Sequence, residues 1–257
     1  MSEVRNRISD VGGQKSEVRF LIFISDFRPP ISDLRFLTSD FRLLPVYLAR
    51  LMKNNLFIAF EGIDGSGKST QVKLLQEKLE AAGLKVYTTC EPTDGPIGKI
   101  IRDIFSHKME ADHRTIAGLF VADRLDHLLN KTNGILKKLE EGYTVISDRF
   151  YFSSYAYQGT HVNLDWVINA NSLSANLRRP DLNIYIDITA EQSIERINKG
   201  RSSVELYETL DNLEQVRNKY FEVMDLLKDD EEIFVTDGGR APEIISNEIW
   251  NKIAQQF

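Results

Sequence analysis

The stretch that decides the fold is Leu56-Phe57-Ile58-Ala59-Phe60-Glu61-Gly62-Ile63-Asp64-Gly65-Ser66-Gly67-Lys68-Ser69-Thr70. Its first five residues are apolar and read as a buried strand. They run into G-x-x-x-x-G-K-S, from Gly62 to Ser69. Gly65 and Gly67 can take positive φ, which lets backbone N–H groups close around phosphate oxygens. A helix starting near Lys68 adds the partial positive charge of its N-terminus. Gly62, Gly65, Ser66, Gly67, Lys68, Ser69 and Thr70 then form a cradle for a nucleoside triphosphate. In it Lys68 reaches the β- and γ-phosphates and the Ser69 hydroxyl ligates Mg²⁺. The motif does not choose between kinase, ATPase, GTPase and switch.

Downstream of the cradle, short β-rich runs alternate with helical patterns. Strands are expected at 56–60, 84–89, 143–147, 182–187 and 233–236. Helices are expected near 68–81, 97–106, 113–140, 164–177, 190–199, 206–228 and 242–255. Gly83 and Gly142 fall where two helices should end. Strands apolar on both faces belong in a parallel sheet covered by helices. The expected fold is therefore α/β: a P-loop three-layer sandwich with a five-stranded parallel sheet. Ligands in such sheets bind at the carboxyl ends of the strands, so the loops after Phe60, Thr89, Ser147 and Asp187 should carry the chemistry.

Upstream, residues 1–51 differ from the rest. ISDFRPP (24–30), ISDLRFL (31–37) and TSDFRLL (38–44) repeat every seven residues, and shorter copies begin at Ser2 and Ser16. Pro29-Pro30 argues against a heptad coiled coil. The segment reads either as a docking arm or, as the preferred reading, as a tail outside the fold. On the second reading the functional domain is 52–257, beginning at Met52. An acidic residue in every unit argues against an organelle transit peptide.

The bulk composition narrows the classes further. The 257 residues suffice for one large domain, and the net charge of −6 is not that of a nucleic-acid binder. One cysteine, Cys90, fits a reducing, cytoplasmic setting. No apolar run approaches the ~20 residues that span a bilayer. An N-K-x-D base-reading loop, as a GTPase would need, is not found.

Three further motifs look like the site of a phosphoryl acceptor. In Leu119-Phe120-Val121-Ala122-Asp123-Arg124, Phe120 and Arg124 share a helix face, and a ring beside a guanidinium suits a flat heterocycle. Asp148-Arg149 follows the strand at 143–147, and Arg149 can clamp a monophosphate with two hydrogen bonds. Asp148 can orient Arg149 or a Mg²⁺-bound water. Glu91-Pro92 follows the second strand, with Arg102 beyond it.

Taken with RRPDLxIYID at 178–187, these motifs make the chain from Met52 onward resemble the thymidylate kinase family. Five motifs stand in the family's order: the phosphate loop, EP, LFxADR, DRFxxSSxAYQG and RRPDLxIYID. The resemblance implies ATP- and Mg²⁺-dependent conversion of dTMP to dTDP in dTTP biosynthesis, by a homodimer that binds neither nucleic acid nor membrane. It implies that Phe120 stacks on thymine and Arg124 contacts its O4. It implies that Ser154, Tyr157 and Gln158 line the sugar and base, with Tyr157 favouring deoxyribose. Glu91 and Arg102 should lie against the acceptor's sugar and phosphate. Asp64 should lie near the reaction centre, and Ser69 and Asp148 should hold Mg²⁺. A basic lid after the fourth strand, with Arg196, Lys199 and Arg201 around Gly200, should close over ATP; Arg201 is its expected catalytic cation, beside Lys68, Asp64 and Arg149. The loop Asp237-Gly238-Gly239-Arg240 should lie near the adenine. One departure stands out: many bacterial members read Arg-Glu-Pro where this chain reads Cys90-Glu91-Pro92. Arg102 is the cation available to substitute. Two other functions stay open at this stage: a kinase for another nucleoside or nucleoside monophosphate, and a non-catalytic nucleotide-binding regulator.

Overall fold

The computed structural model describes residues 55–200 and 206–256, which fall within one compact unit. The heptad-repeat segment and Arg201 lie outside the described residues. Five strands form one sheet: β1 (Phe57–Glu61), β2 (Val86–Cys90), β3 (Thr144–Asp148), β4 (Leu182–Asp187) and β5 (Ile233–Asp237). Their order is β2-β3-β1-β4-β5, and every pairing is parallel. The central strand shows why the sequence run is apolar throughout. Phe57 and Ala59 pack into a core on one face, and Ile58 and Phe60 into a second core on the other. The two-residue side-chain period thus feeds two helix layers from one strand.

Among the described residues the helices are α1 (Lys68–Ala81), α2 (Pro96–Phe105), α3 (His113–Leu129), α4 (Ile135–Glu140), α5 (Tyr151–His161), α6 (Leu164–Leu177), α7 (Ala190–Gly200), α8 (Leu210–Leu227) and α9 (Pro242–Gln256). Several starts are set by local chemistry. Asp112, Asn163 and Thr209 accept backbone N–H bonds from the first turns of α3, α6 and α8. Pro96 opens α2, where its missing N–H costs nothing.

Two sequence expectations are corrected. The helix expected over 113–140 is two helices, because Asn130 caps the intervening turn: its side chain accepts Thr132 N at 3.0 Å and its carbonyl accepts Gly134 N at 2.9 Å. The helix expected from 206 starts at Leu210, after Thr209. A helix absent from those expected, α5, carries the aromatic run after Arg149, with Tyr151, Phe152 and Tyr155 buried in the core.

The chain leaves β1 into α1 on one face of the sheet and leaves β3 into α5 on the other. Adjacent strands whose crossovers diverge open a crevice at their carboxyl ends. That crevice lies between Glu61 and Asp148. No described helix is long and apolar enough to cross a membrane.

Candidate active site

Gly65 and Gly67 take φ of 73° and 100°, the left-handed values expected of the cradle. Gly67 is the residue before α1, so the loop opens directly onto a helix N-terminus. Ser66 is buried, and Thr70 lies exposed on the first turn of α1. Lys68 is buried, and its ammonium donates to the carbonyls of Gly62 and Ile63, both at 3.0 Å. Burial pushes the amine down to about 8, and the neighbouring Arg149 charge adds to the effect.

Ser69 and Asp148 meet across the crevice, the Ser69 hydroxyl donating to Asp148 Oδ2 at 2.6 Å. A hydroxyl and a carboxylate form an all-oxygen set that suits Mg²⁺, which is held by one or two carboxylates plus substrate phosphates. Among the described residues no three His, Cys, Asp or Glu side chains are grouped so as to hold a metal ion.

Arg149 follows Asp148 with φ 75°. Its Nη1 donates to Gly62 O and to Ser153 Oγ, both at 3.1 Å, and its Nη2 donates to Asp64 Oδ1 at 2.6 Å. The partner that orients Arg149 is therefore Asp64, while Asp148 is engaged by Ser69. Tyr157 completes the cluster: its hydroxyl donates to Asp64 Oδ2 at 2.8 Å, and its ring lies 4.9 Å from the Arg149 guanidinium. Burial alone would raise the Asp64 carboxyl, but the charges of Arg149 and Lys68 outweigh it and hold the group below the usual range.

Beside this cluster lies a cavity of about 640 Å³. Asp64, Arg149 and Tyr157 form its wall towards the phosphate loop. Glu91, Arg102, Phe120 and Gln158 line it elsewhere, together with Cys90. Phe120 packs at 5.9 Å from Phe105, and Phe105 packs edge-on to Tyr207 at 5.4 Å, which makes the far wall apolar and aromatic. Gln158 is 2% exposed, and its carboxamide oxygen is buried with no hydrogen-bond partner in the fold. A buried polar atom without a partner is costly, and this one borders a cavity that could supply a donor. Arg102 donates to the carbonyls of Pro92 and Thr93, at 3.0 and 2.5 Å, and thereby ties α2 to the loop after β2.

Two sequence candidates lie behind the cavity wall rather than on it. Arg124 is 1% exposed, and its five N–H groups are all engaged. They reach Glu91 Oε2 twice, at 3.0 and 2.5 Å, Ser154 Oγ at 3.0 Å, Phe150 O at 3.1 Å, and Asn171 Oδ1. Ser154 is one of those partners. Glu91 Oε1 also accepts from His127 Nδ1 at 3.0 Å, so Arg124 and His127 together hold Glu91. On the lid side, Arg196 donates to Gly65 O, Ser66 O and Gly238 O, joining the phosphate loop to the loop after β5. Lys199 pairs with Glu195 on the exposed face of α7.

Several further residues shape the site. Asp123 accepts Thr93 N at 2.8 Å and Thr93 Oγ1 at 2.6 Å, which pins the loop after β2. Tyr207 and Glu208 line the cavity from the segment before α8. Glu61 is buried beneath Arg149. The only local sign for Asp123 is its position beside Arg124 in LFVADR.

The family model described as thymidylate kinase matches residues 60–249. A probable thymidylate kinase of Pyrobaculum aerophilum is 40% identical over 195 residues, covering 75% of this chain and 93% of the relative. One of Pyrococcus horikoshii is 40% identical over 176 residues, covering 66% and 83%. A thymidylate kinase of Leptospira borgpetersenii is 34% identical over 202 residues, covering 79% and 95%.

Proposed function

The chain belongs to the thymidylate kinase family, and we propose that it uses ATP and Mg²⁺ to phosphorylate dTMP to dTDP, a step of dTTP biosynthesis in the cytoplasm. One observation carries the proposal: the phosphate loop and the adjoining cavity share a wall. Asp64 and Arg149 border the cavity, and Arg149 is hydrogen-bonded to the loop at Gly62. A nucleotide monophosphate in the cavity would meet the γ-phosphate on the loop at this wall.

In the proposed reaction Gly62 to Thr70 hold ATP, with Lys68 on the phosphates. Ser69 and Asp148 hold Mg²⁺, which would neutralise charge on the transferring phosphoryl group. Arg149 binds the acceptor phosphate, oriented by Asp64 and Tyr157. Phosphoryl transfer depends chiefly on position and charge neutralisation, and buried Lys68 with half-buried Arg149 beside a helix N-terminus supplies both. Phe120 offers a face to the thymine ring, and the unpartnered oxygen of Gln158 suits a base N–H. Arg124 acts by holding Glu91 and Ser154 in place, or reaches thymine O4 by giving up one of its five bonds. Arg102 supplies the positive charge that the missing arginine at Cys90 does not. Arg201 on the lid remains the proposed cation over ATP. Catalysis is assigned to residues 52–257 and none of it to residues 1–51.

A homodimer is part of the proposal. Trp166, Leu173 and Leu177 are exposed along one stripe of α6, and Leu129 is exposed at the end of α3. Water-facing apolar side chains on neighbouring helices suit a second copy of the chain.

Titration calorimetry tests the acceptor assignment without turnover. dTMP should bind more tightly than dCMP or AMP, and Gln158→Ala should weaken dTMP by about 1–3 kcal/mol, the cost of a lost buried hydrogen bond. Equal binding of all three nucleotides would contradict it.

A further inference from the structure

Glu61 ends β1, one residue before the phosphate loop, and is 1% exposed. The reaction proposed above leaves it without a role. Its carboxyl accepts from Phe150 N at 2.8 Å, Ser153 Oγ at 2.5 Å and Tyr220 OH at 3.0 Å. The donors come from the turn after β3, the first turn of α5 and the middle of α8. A buried carboxylate is costly even when hydrogen-bonded, and burial pushes this one up to about 7. A glutamine would fill the same space without that cost.

The donors point to what the carboxylate does. Ser153 has one hydroxyl proton. Given to Glu61, it leaves the oxygen's lone pairs to face Arg149, whose Nη1 donates to that oxygen at 3.1 Å, and the Tyr220 hydroxyl at 2.8 Å. The second link is through the backbone. Arg149 holds φ 75°, a left-handed conformation uncommon for a side-chain-bearing residue. The next N–H, that of Phe150, is anchored on Glu61 Oε1. One carboxylate thus grips both the turn that carries Arg149 and the hydroxyl that steers its guanidinium.

We infer that Glu61 is a positioning residue for phosphoryl transfer: it fixes Arg149 from behind, through Phe150 N–H and the Ser153 hydroxyl, and so presents that cation to the acceptor phosphate. The inference rests on the reading that Arg149 binds that phosphate. Tyr220 extends the same grip to α8, the helix that follows the lid segment.

The test compares Glu61→Gln, Ser153→Ala and the double variant in the full chain. Glu61→Gln keeps the shape but turns an N–H₂ towards at least one donor and removes the charge. The KM for dTMP should rise about tenfold or more while the KM for ATP stays within about twofold. Ser153→Ala should reproduce part of this rise, and the double variant should be no worse than Glu61→Gln, since both cut one path. If both KM values move together, or the two effects multiply, the inference is overturned. Should Glu61→Gln fail to fold, Ser153→Ala carries the same KM comparison with the carboxylate in place. A second readout needs no acceptor. Rotation of the Arg149 guanidinium, followed by side-chain ¹⁵N NMR, should be slow in the wild type and faster in either variant; unchanged rotation overturns the inference. Wild-type protein lacking dTMP-dependent turnover would instead contradict the function reading, and the NMR result would still decide the role of Glu61.

Discussion

Lys68 is buried, and its amine is pushed down to about 8. Between about pH 8 and 10.5 the unfolded chain binds more protons at this site than the folded one, so stability should rise with pH across that window. A polyphosphate beside the amine restores its charge. ATP binding at about pH 8.5 should therefore take up a proton, read as a calorimetric enthalpy that varies with the buffer's ionisation enthalpy. Lys68→Met should abolish that dependence and lower turnover by about 10²–10³-fold. Glu61 has the opposite sign. Its pKa is raised from 4.5 to about 7, so the folded chain binds more protons in that interval and loses stability as pH rises through it. Glu61→Gln is blind to this change. The thermal midpoint of Glu61→Gln minus that of the wild type should increase from about pH 5 to about pH 8; a constant difference would mean that the carboxyl titrates normally. The two residues also differ in legibility. Lys68 announces itself because its partners lie within six residues in the chain. Glu61 looks like the end of an apolar strand, and becomes a hub only when Ser153 and Tyr220, 92 and 159 positions away, fold onto it.

At the scale of elements, α2 is held against the loop after β2 by close approach. A Cβ on Gly98 would come within 1.9 Å of Thr93 O and 2.7 Å of Thr93 N. Gly98→Ala must push α2 outward, and α2 carries Arg102, which grips Pro92 and Thr93. The substitution should cost about 1–3 kcal/mol in chemical denaturation and raise the KM for dTMP more than that for ATP. The strands were legible because β-rich runs of four to six residues bounded by turn signals have few other readings. α5 was not, because its aromatic residues interrupt any helical apolar stripe: Tyr151, Phe152, Tyr155 and Tyr157 are all buried. A helix enclosed on nearly every side shows no periodicity. Similarly, Phe120 and Arg124 do share a helix, but their spacing could not reveal that Arg124 would turn inward onto Glu91 and Asn171.

For the whole molecule, Leu173→Glu places a charge in the exposed apolar stripe of α6. If that stripe meets a second copy, sedimentation should report a shift from dimer to monomer; an unchanged sedimentation coefficient would move the interface elsewhere. The fold and the phosphate loop follow from local patterns, whereas the acceptor cavity is assembled from β2, α2, α3, α5 and the segment before α8. Its chemistry was legible only through motifs whose joint order resembles the thymidylate kinase family. Phosphoryl transfer between the two halves of this site is the central claim. Its most direct test is ADP release from ATP and Mg²⁺ with dTMP, dUMP, dCMP, AMP or no acceptor, using the full chain and a chain beginning at Met52. Release that depends strongly on dTMP in both chains is the predicted result. Release that is equal without an acceptor, or that requires a different nucleotide, would contradict the account and leave only the ATP site.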